Sequence, residues 1–166
     1  MKRPCHGAVS TVFAILCVIA AAQERVKSVV PVAVSLPEVD GRLDDPCWRE
    51  AQPLHLTSLR GAPLKNATTA TLVYGSAHLY VGVRCEEAAM GSLRTVWSHA
   101  EERDNAIWQD DCVEVFLDPL NRGTATGAHI VVNSAGVWYD AWDGDRSWDC
   151  DLRSAVVKEV DGWTVE

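Results

Sequence analysis

Apolar and polar positions alternate along two short runs, 68–74 and 79–85, which are separated by Gly75-Ser76-Ala77-His78. A period of two marks a half-buried strand, and a four-residue break containing glycine makes the pair a hairpin. Similar runs occupy 112–118, stopped by Pro119, then 129–133 and, across Ser134-Ala135-Gly136, 137–142. Residues 153–160 and 163–166 flank Asp161-Gly162, the strongest short hairpin signal in the chain. Residues 29–34 are β-rich but contain Pro31, which predicts an edge strand or a lead-in. Asp40-Gly41 marks a turn. Asp45 followed by Pro46 fits a helix N-cap and first helical position, so 46–51 predicts one helical turn carrying Trp48. Residues 86–107 are polar and irregular. Many short strands joined by turns, without a long amphipathic helix, predict an all-β fold: an antiparallel β-sandwich. The last run stops inside an element, so the sequence reads as the front part of a longer protein.

Side chains alternate faces along a strand. In the run from Leu79, the residues Leu79, Val81, Val83 and Cys85 share one face, leaving Tyr80, Gly82 and Arg84 on the other. In the run from Cys112, Val113, Val115 and Leu117 form the apolar set, and Cys112, Glu114, Phe116 and Asp118 point the opposite way. With Ile130 and Val132 on the core side, His129, Val131 and Asn133 turn away. If these strands share a sheet, Tyr80, Arg84, Glu114, His129 and Asn133 form one surface able to donate to and accept from hydroxyls, with Arg84 opposite Glu114. Trp108, just before its strand, would overhang that surface as a stacking platform. The competing reading is an ordinary solvated sheet face, which is polar in any case.

The N-terminus changes the picture of where the protein works. Lys2 and Arg3 precede an uncharged, largely apolar run over 8–22 that ends in Ala20-Ala21-Ala22. That is the pattern of a secretory signal peptide over 1–22, followed by a lead-in over 23–36, and it predicts secretion or a periplasmic location. The apolar run falls short of the roughly 20 residues of a membrane span, so none is expected in the mature chain. The 166 residues carry a net charge of -8, and the chain without its leader stands at about -10. So acidic a chain offers no basic face for phosphates, which argues against nucleic acid as a partner. Tryptophan outnumbers the other aromatics, Trp 7 against Tyr 3 and Phe 2, and indole is well suited to stacking on the C–H face of a sugar.

Past the leader, the cysteines are Cys47, Cys85, Cys112 and Cys150. In an exported protein they allow two disulfides in three connectivities, or four buried free thiols, and no pair has C-x-x-C spacing for zinc. Residues 142–151 concentrate carboxylates, which makes calcium a possible ligand or the segment an acidic surface turn.

Several segments, in order, resemble the family 9 carbohydrate-binding module and its wider DOMON-like superfamily. They are Pro37-x-x-Asp40-Gly41-x-Leu43-x-Asp45-x-x-Trp48-x-x-Ala51, Ala70-Thr71-Leu72-Val73-Tyr74 with Leu79-Tyr80-Val81-Gly82, Trp108 through Asp118, Asn133-x-x-Gly136, and Trp163-x-x-Glu166. The resemblance covers 37–166 and implies a sugar-binding β-sandwich, jelly-roll or immunoglobulin-like in build. It further implies attachment to other domains of the same polypeptide, commonly a glycoside hydrolase in carbohydrate breakdown. Mono-, oligo- or polysaccharides are the implied partners. In sugar-binding members the residues at the positions of Trp108 and Glu114 stack on the ring and accept from its hydroxyls. Arg84, Asn133 and Tyr80 are the further candidates here, while Trp48 is expected in the core. Those members carry arginine where Val131 stands, and Arg84 on the same face is the expected substitute. Their second stacking aromatic belongs to a part of the module that follows residue 166.

Three other readings compete. DOMON-like relatives include cytochromes, and Met90, His99 and His129 are candidate haem ligands. Asp110, Asp111, Glu114 and Asp118 are candidates for a glycosidase acid and base, which need carboxylates roughly 5–9.5 Å apart. The third is a purely structural sandwich packed against neighbouring domains, in which Trp108 would be buried against protein.

Overall fold

The computed structural model describes residues 28–58, 61–62, 64–75, 77–122 and 127–166. The leader over 1–22 lies outside the described residues. Among the described residues, eight strands follow one short α-helix, α1 (Pro46–Glu50): β1 (Leu54–His55), β2 (Thr68–Tyr74), β3 (Leu79–Glu86), β4 (Cys112–Leu117), β5 (Ala128–Asn133), β6 (Trp138–Trp142), β7 (Val156–Lys158) and β8 (Gly162–Val165). They form two antiparallel sheets, a five-stranded one in the order β1-β2-β3-β8-β7 and a three-stranded one in the order β4-β5-β6. The hairpins expected from the alternating runs are all present, and β8 also pairs with β3, Val83 opposite Val165. The two-residue β1 is too short to leave a period in the sequence. The irregular stretch over 86–107 contains single 3₁₀ turns and ends in a third, Ile107–Gln109.

The two sheets face each other through alternate residues. Val81, Val83, Cys85, Trp163 and Val165 of the larger sheet pack toward Val113, Ile130, Val132 and Trp138 of the smaller. A cavity of about 960 Å³, with largely apolar walls that include Val81, Val115, Ile130 and Trp142, runs between them. The opposite face of the larger sheet has its own core, where Cys47, Trp48 and Ala51 of the α1 region pack on Val73 with Leu43 and Tyr80. Gly82 makes this approach possible: a Cβ there would stand 2.6 Å from Leu43 and 3.3 Å from Trp48. Trp48 is thus a core residue, as expected.

Glu166 ties the end of the last strand to the opening motif. Its carboxylate accepts from the backbone N–H groups of Asp40 (3.0 Å) and Gly41 (2.7 Å) and from Trp48 Nε1 (2.9 Å). Burial outweighs these three donors and holds the carboxyl above its ordinary value. The folded chain therefore keeps this proton more tightly than the unfolded chain, and the group's contribution to stability declines as pH rises through the window above the ordinary carboxylate value. Glu166→Gln removes that dependence. Urea midpoints are expected to show a larger wild-type-minus-variant difference at about pH 4 than at about pH 7; a pH-independent difference would contradict it.

The four cysteines among the described residues, Cys47, Cys85, Cys112 and Cys150, are free thiols. Burial pushes Cys85 up to about 11 and Cys112 and Cys150 up to about 12, so these thiols are poor nucleophiles at neutral pH.

Candidate functional site

The outward face of the small sheet is set by register. Glu114 on β4 lies opposite Val131 on β5, and Val131 opposite Tyr139 on β6; in the next row Phe116, His129 and Ala141 align. Val131, Tyr139 and Ala141 are covered by Ile107, forming a small core with Val137. Ile107 is fully buried and anchors the 3₁₀ turn, so the next residue, Trp108, is thrust outward and remains 43% exposed. Its indole stands edge-on against Tyr139, centroids 5.2 Å apart at 83°. His129 Nε2 lies 2.9 Å from Glu114 Oε2, which leaves Oε1 without a partner among the described residues. The His129 ring meets Tyr139 edge-on at 5.4 Å and stacks on Phe116 at 4.1 Å and 11°. From the loop after β6, Arg146 brings its guanidinium to 5.4 Å over the Tyr139 ring. The result is one surface bearing a half-exposed indole, a carboxylate, an imidazole and a guanidinium, a set that can stack on a flat ligand and hydrogen-bond it in both senses.

Below this surface lies a buried polar hub. Asp110 accepts from the backbone N–H groups of Val96 (2.8 Å) and Trp97 (3.1 Å) and from Asn133 Nδ2 (2.9 Å). Asn133 Nδ2 also donates to the Trp97 carbonyl, while its Oδ1 accepts from Ala135 N and Val137 N. The backbone of Asp110 closes the turn by donating to the Ile107 carbonyl. The hub fixes the 94–97 segment, the β5–β6 turn and the start of β4 together, and so aims Trp108.

The surface expected from parity is divided by this fold. Trp108, Glu114 and His129 come together, but Tyr80 and Arg84 belong to β3 in the other sheet. Tyr80 packs with the α1 core. Arg84 pairs with Glu159 and, at 2.6 Å, with Asp161, so His129 rather than Arg84 is the neighbour of Glu114. Asn133 does face away from the inter-sheet core, but it is 0% exposed beneath the loops it holds. The residues that parity alone did not single out as ligands are Tyr139, Arg146 and Phe116. Phe116 had a signal, an apolar side chain on the wet side of an alternating strand, whereas Arg146 sits in a loop without periodicity.

The other candidate sets are dispersed. Met90 packs in the inter-sheet core, His99 caps a 3₁₀ turn with Glu102, and His129 is on the outer face, so the three do not converge on one iron. Asp110 serves the hub, and Asp111 accepts from Arg94 N. In the acidic turn the carboxylates serve separate partners: Asp143 pairs with Arg122, Asp145 caps Ser147 and Asp149 reaches Arg103. No group of three or more His, Cys, Asp or Glu able to hold a metal ion occurs among the described residues, nor does any helix there have the length and apolarity to cross a membrane.

Solved structures share this architecture, two family 9 carbohydrate binding modules among them. A carbohydrate binding module family 9 from Caldicellulosiruptor kristjanssonii in complex with cellotriose superposes with a TM-score of 0.58 at 21% identity, covering 82% of this chain and 64% of that one. The family 9 module from the same organism in complex with glucose gives 0.54 at 18% identity, covering 82% and 65%. The chain thus spans a little under two thirds of the length of either. No curated protein matches it. A family model described as carbohydrate family 9 binding domain-like matches residues 39–166, and through these residues, which include both sheets and the Trp108 surface, the chain belongs to that family.

Proposed function

We propose that the outer face of the small sheet binds a saccharide, with Trp108 stacking on the C–H face of a sugar ring, Glu114 accepting from its hydroxyls and Arg146 donating to them. The observation that carries this reading is the half-exposed indole of Trp108, braced by Tyr139 on the same face as Glu114. The glucose and cellotriose of the solved relatives support a glucose-type ligand. Arg146 supplies on this face the cation that the strand position of Val131 lacks. Asn133 acts on the ligand only through Trp108, and Tyr80 and Arg84 are too committed elsewhere to take part. With the leader read over 1–22, the module works outside the cytoplasm and holds an attached glycoside hydrolase against its polysaccharide.

Calorimetric titration of the full chain with glucose, cellobiose, xylose and xylo-oligosaccharides tests the reading. Saturable heat with at least one of the glucose ligands is expected. A folded protein that gives none with any sugar would overturn it.

A further inference from the structure

Phe116 is unusual for the open side of a strand. It is 59% exposed, and one face of its ring lies flat on His129. His129 is itself held from two other sides, by Glu114 at 2.9 Å and by the edge of Tyr139. The phenylalanine is therefore backed by a rigid stack and presents its remaining surface to solvent. A rigid, flat, apolar ring loses little conformational freedom when a ligand lies on it.

The rings continue across the sheet. Trp108 meets Tyr139, Tyr139 meets His129 and His129 meets Phe116, with centroid steps of 5.2, 5.4 and 4.1 Å. The two exposed members, Trp108 and Phe116, are the ends of this series, and Glu114, two residues before Phe116 on the same strand face, shares the His129 contact. Two rings, Tyr139 and His129, intervene between these ends, so a ligand lying on both is expected to carry more than one sugar ring. Building on the saccharide reading above, we propose that Phe116, backed by His129, is a second stacking subsite. The face then takes an oligosaccharide across Trp108, Glu114 and Phe116, and Phe116 sets a preference for oligosaccharide over free monosaccharide.

Phe116 is exposed, so its replacement leaves the core intact, which a thermal melt checks. Wild type, Phe116→Ala and Phe116→Leu are titrated calorimetrically with glucose and with cellotriose. Wild type is expected to prefer cellotriose. Phe116→Ala is expected to weaken cellotriose roughly five- to tenfold and leave glucose within about twofold, and Phe116→Leu, which keeps apolar bulk but no flat ring, to behave like alanine. Unchanged cellotriose affinity in Phe116→Ala, an equal loss for both sugars, or full retention by Phe116→Leu would overturn the subsite while leaving the Trp108 site standing. A wild type that binds neither sugar would overturn both readings.

Discussion

Trp108→Ala is expected to weaken saccharide binding by about 10- to 100-fold, or ~1.4–2.8 kcal/mol, with little loss of stability. The asymmetry follows from where the indole sits. Its 43% exposure means that much of its surface is still in water without ligand, and its principal ring contact is the edge of Tyr139. Truncation therefore costs the fold only about 1 kcal/mol, in the range of partly exposed substitutions. It removes the entire flat surface on which a sugar would lie, together with the apolar burial that stacking provides. Parallel calorimetry and urea denaturation separate the two effects. If affinity falls only in proportion to the unfolded fraction, Trp108 is a structural residue and the platform is elsewhere.

The opposite asymmetry is expected at Asp110, two residues along the chain. Asp110→Ala should destabilise the protein by about 2–4 kcal/mol, because the part-buried Val96 N and Trp97 N and the buried Asn133 Nδ2 each lose a bond to the same carboxylate at once. Each unsatisfied buried donor costs about 1–3 kcal/mol, partly recovered by relaxation and water. For a chain of this size that consumes a large share of a total stability of about 5–15 kcal/mol. Chemical denaturation reads the loss directly. Below about 1 kcal/mol, the hub is dispensable and cannot be what positions Trp108. Asp110→Asn is the informative companion, since it keeps an acceptor oxygen but turns a donor toward groups that also donate, and it should fall between wild type and alanine.

How much of this was legible in the sequence depends on the kind of pattern. Alternation over 112–118 fixed which way Glu114 and Phe116 point, and it did so correctly because a strand with one wet side has no freedom about its period. Alternation over 79–85 was equally correct about faces, placing Tyr80, Gly82 and Arg84 together, yet it misled about neighbours. Parity assigns a residue to a side of its own strand but says nothing about which sheet the strand joins. Here the crossover after β3 sends β4 into the second sheet. Asn133 shows another limit. Its outward direction was legible, but its burial comes from the 94–97 segment and Asp110, and irregular loops carry no periodic signal. Arg146 is the same case in reverse, a loop residue delivered to the site by turns after β6. The family resemblance singled out Trp108 and Glu114, and geometry added the residues around them.

The Glu166 contact has a consequence for how the protein is made. Trp48 and Glu166 are 118 positions apart, so at a ribosomal rate of about 5–20 residues per second the indole N–H waits roughly 6–24 s for its acceptor. In that interval the α1 region can rest on the β2–β3 hairpin, which is emitted soon after it, through Val73 and the space left at Gly82. The nascent chain thus has a local resting place for its first tryptophan long before the distant carboxylate arrives to lock it. Mutations that fill Gly82 should be felt first at that stage, as newly made chains exposing the Trp48 surface, before any effect on the finished sandwich.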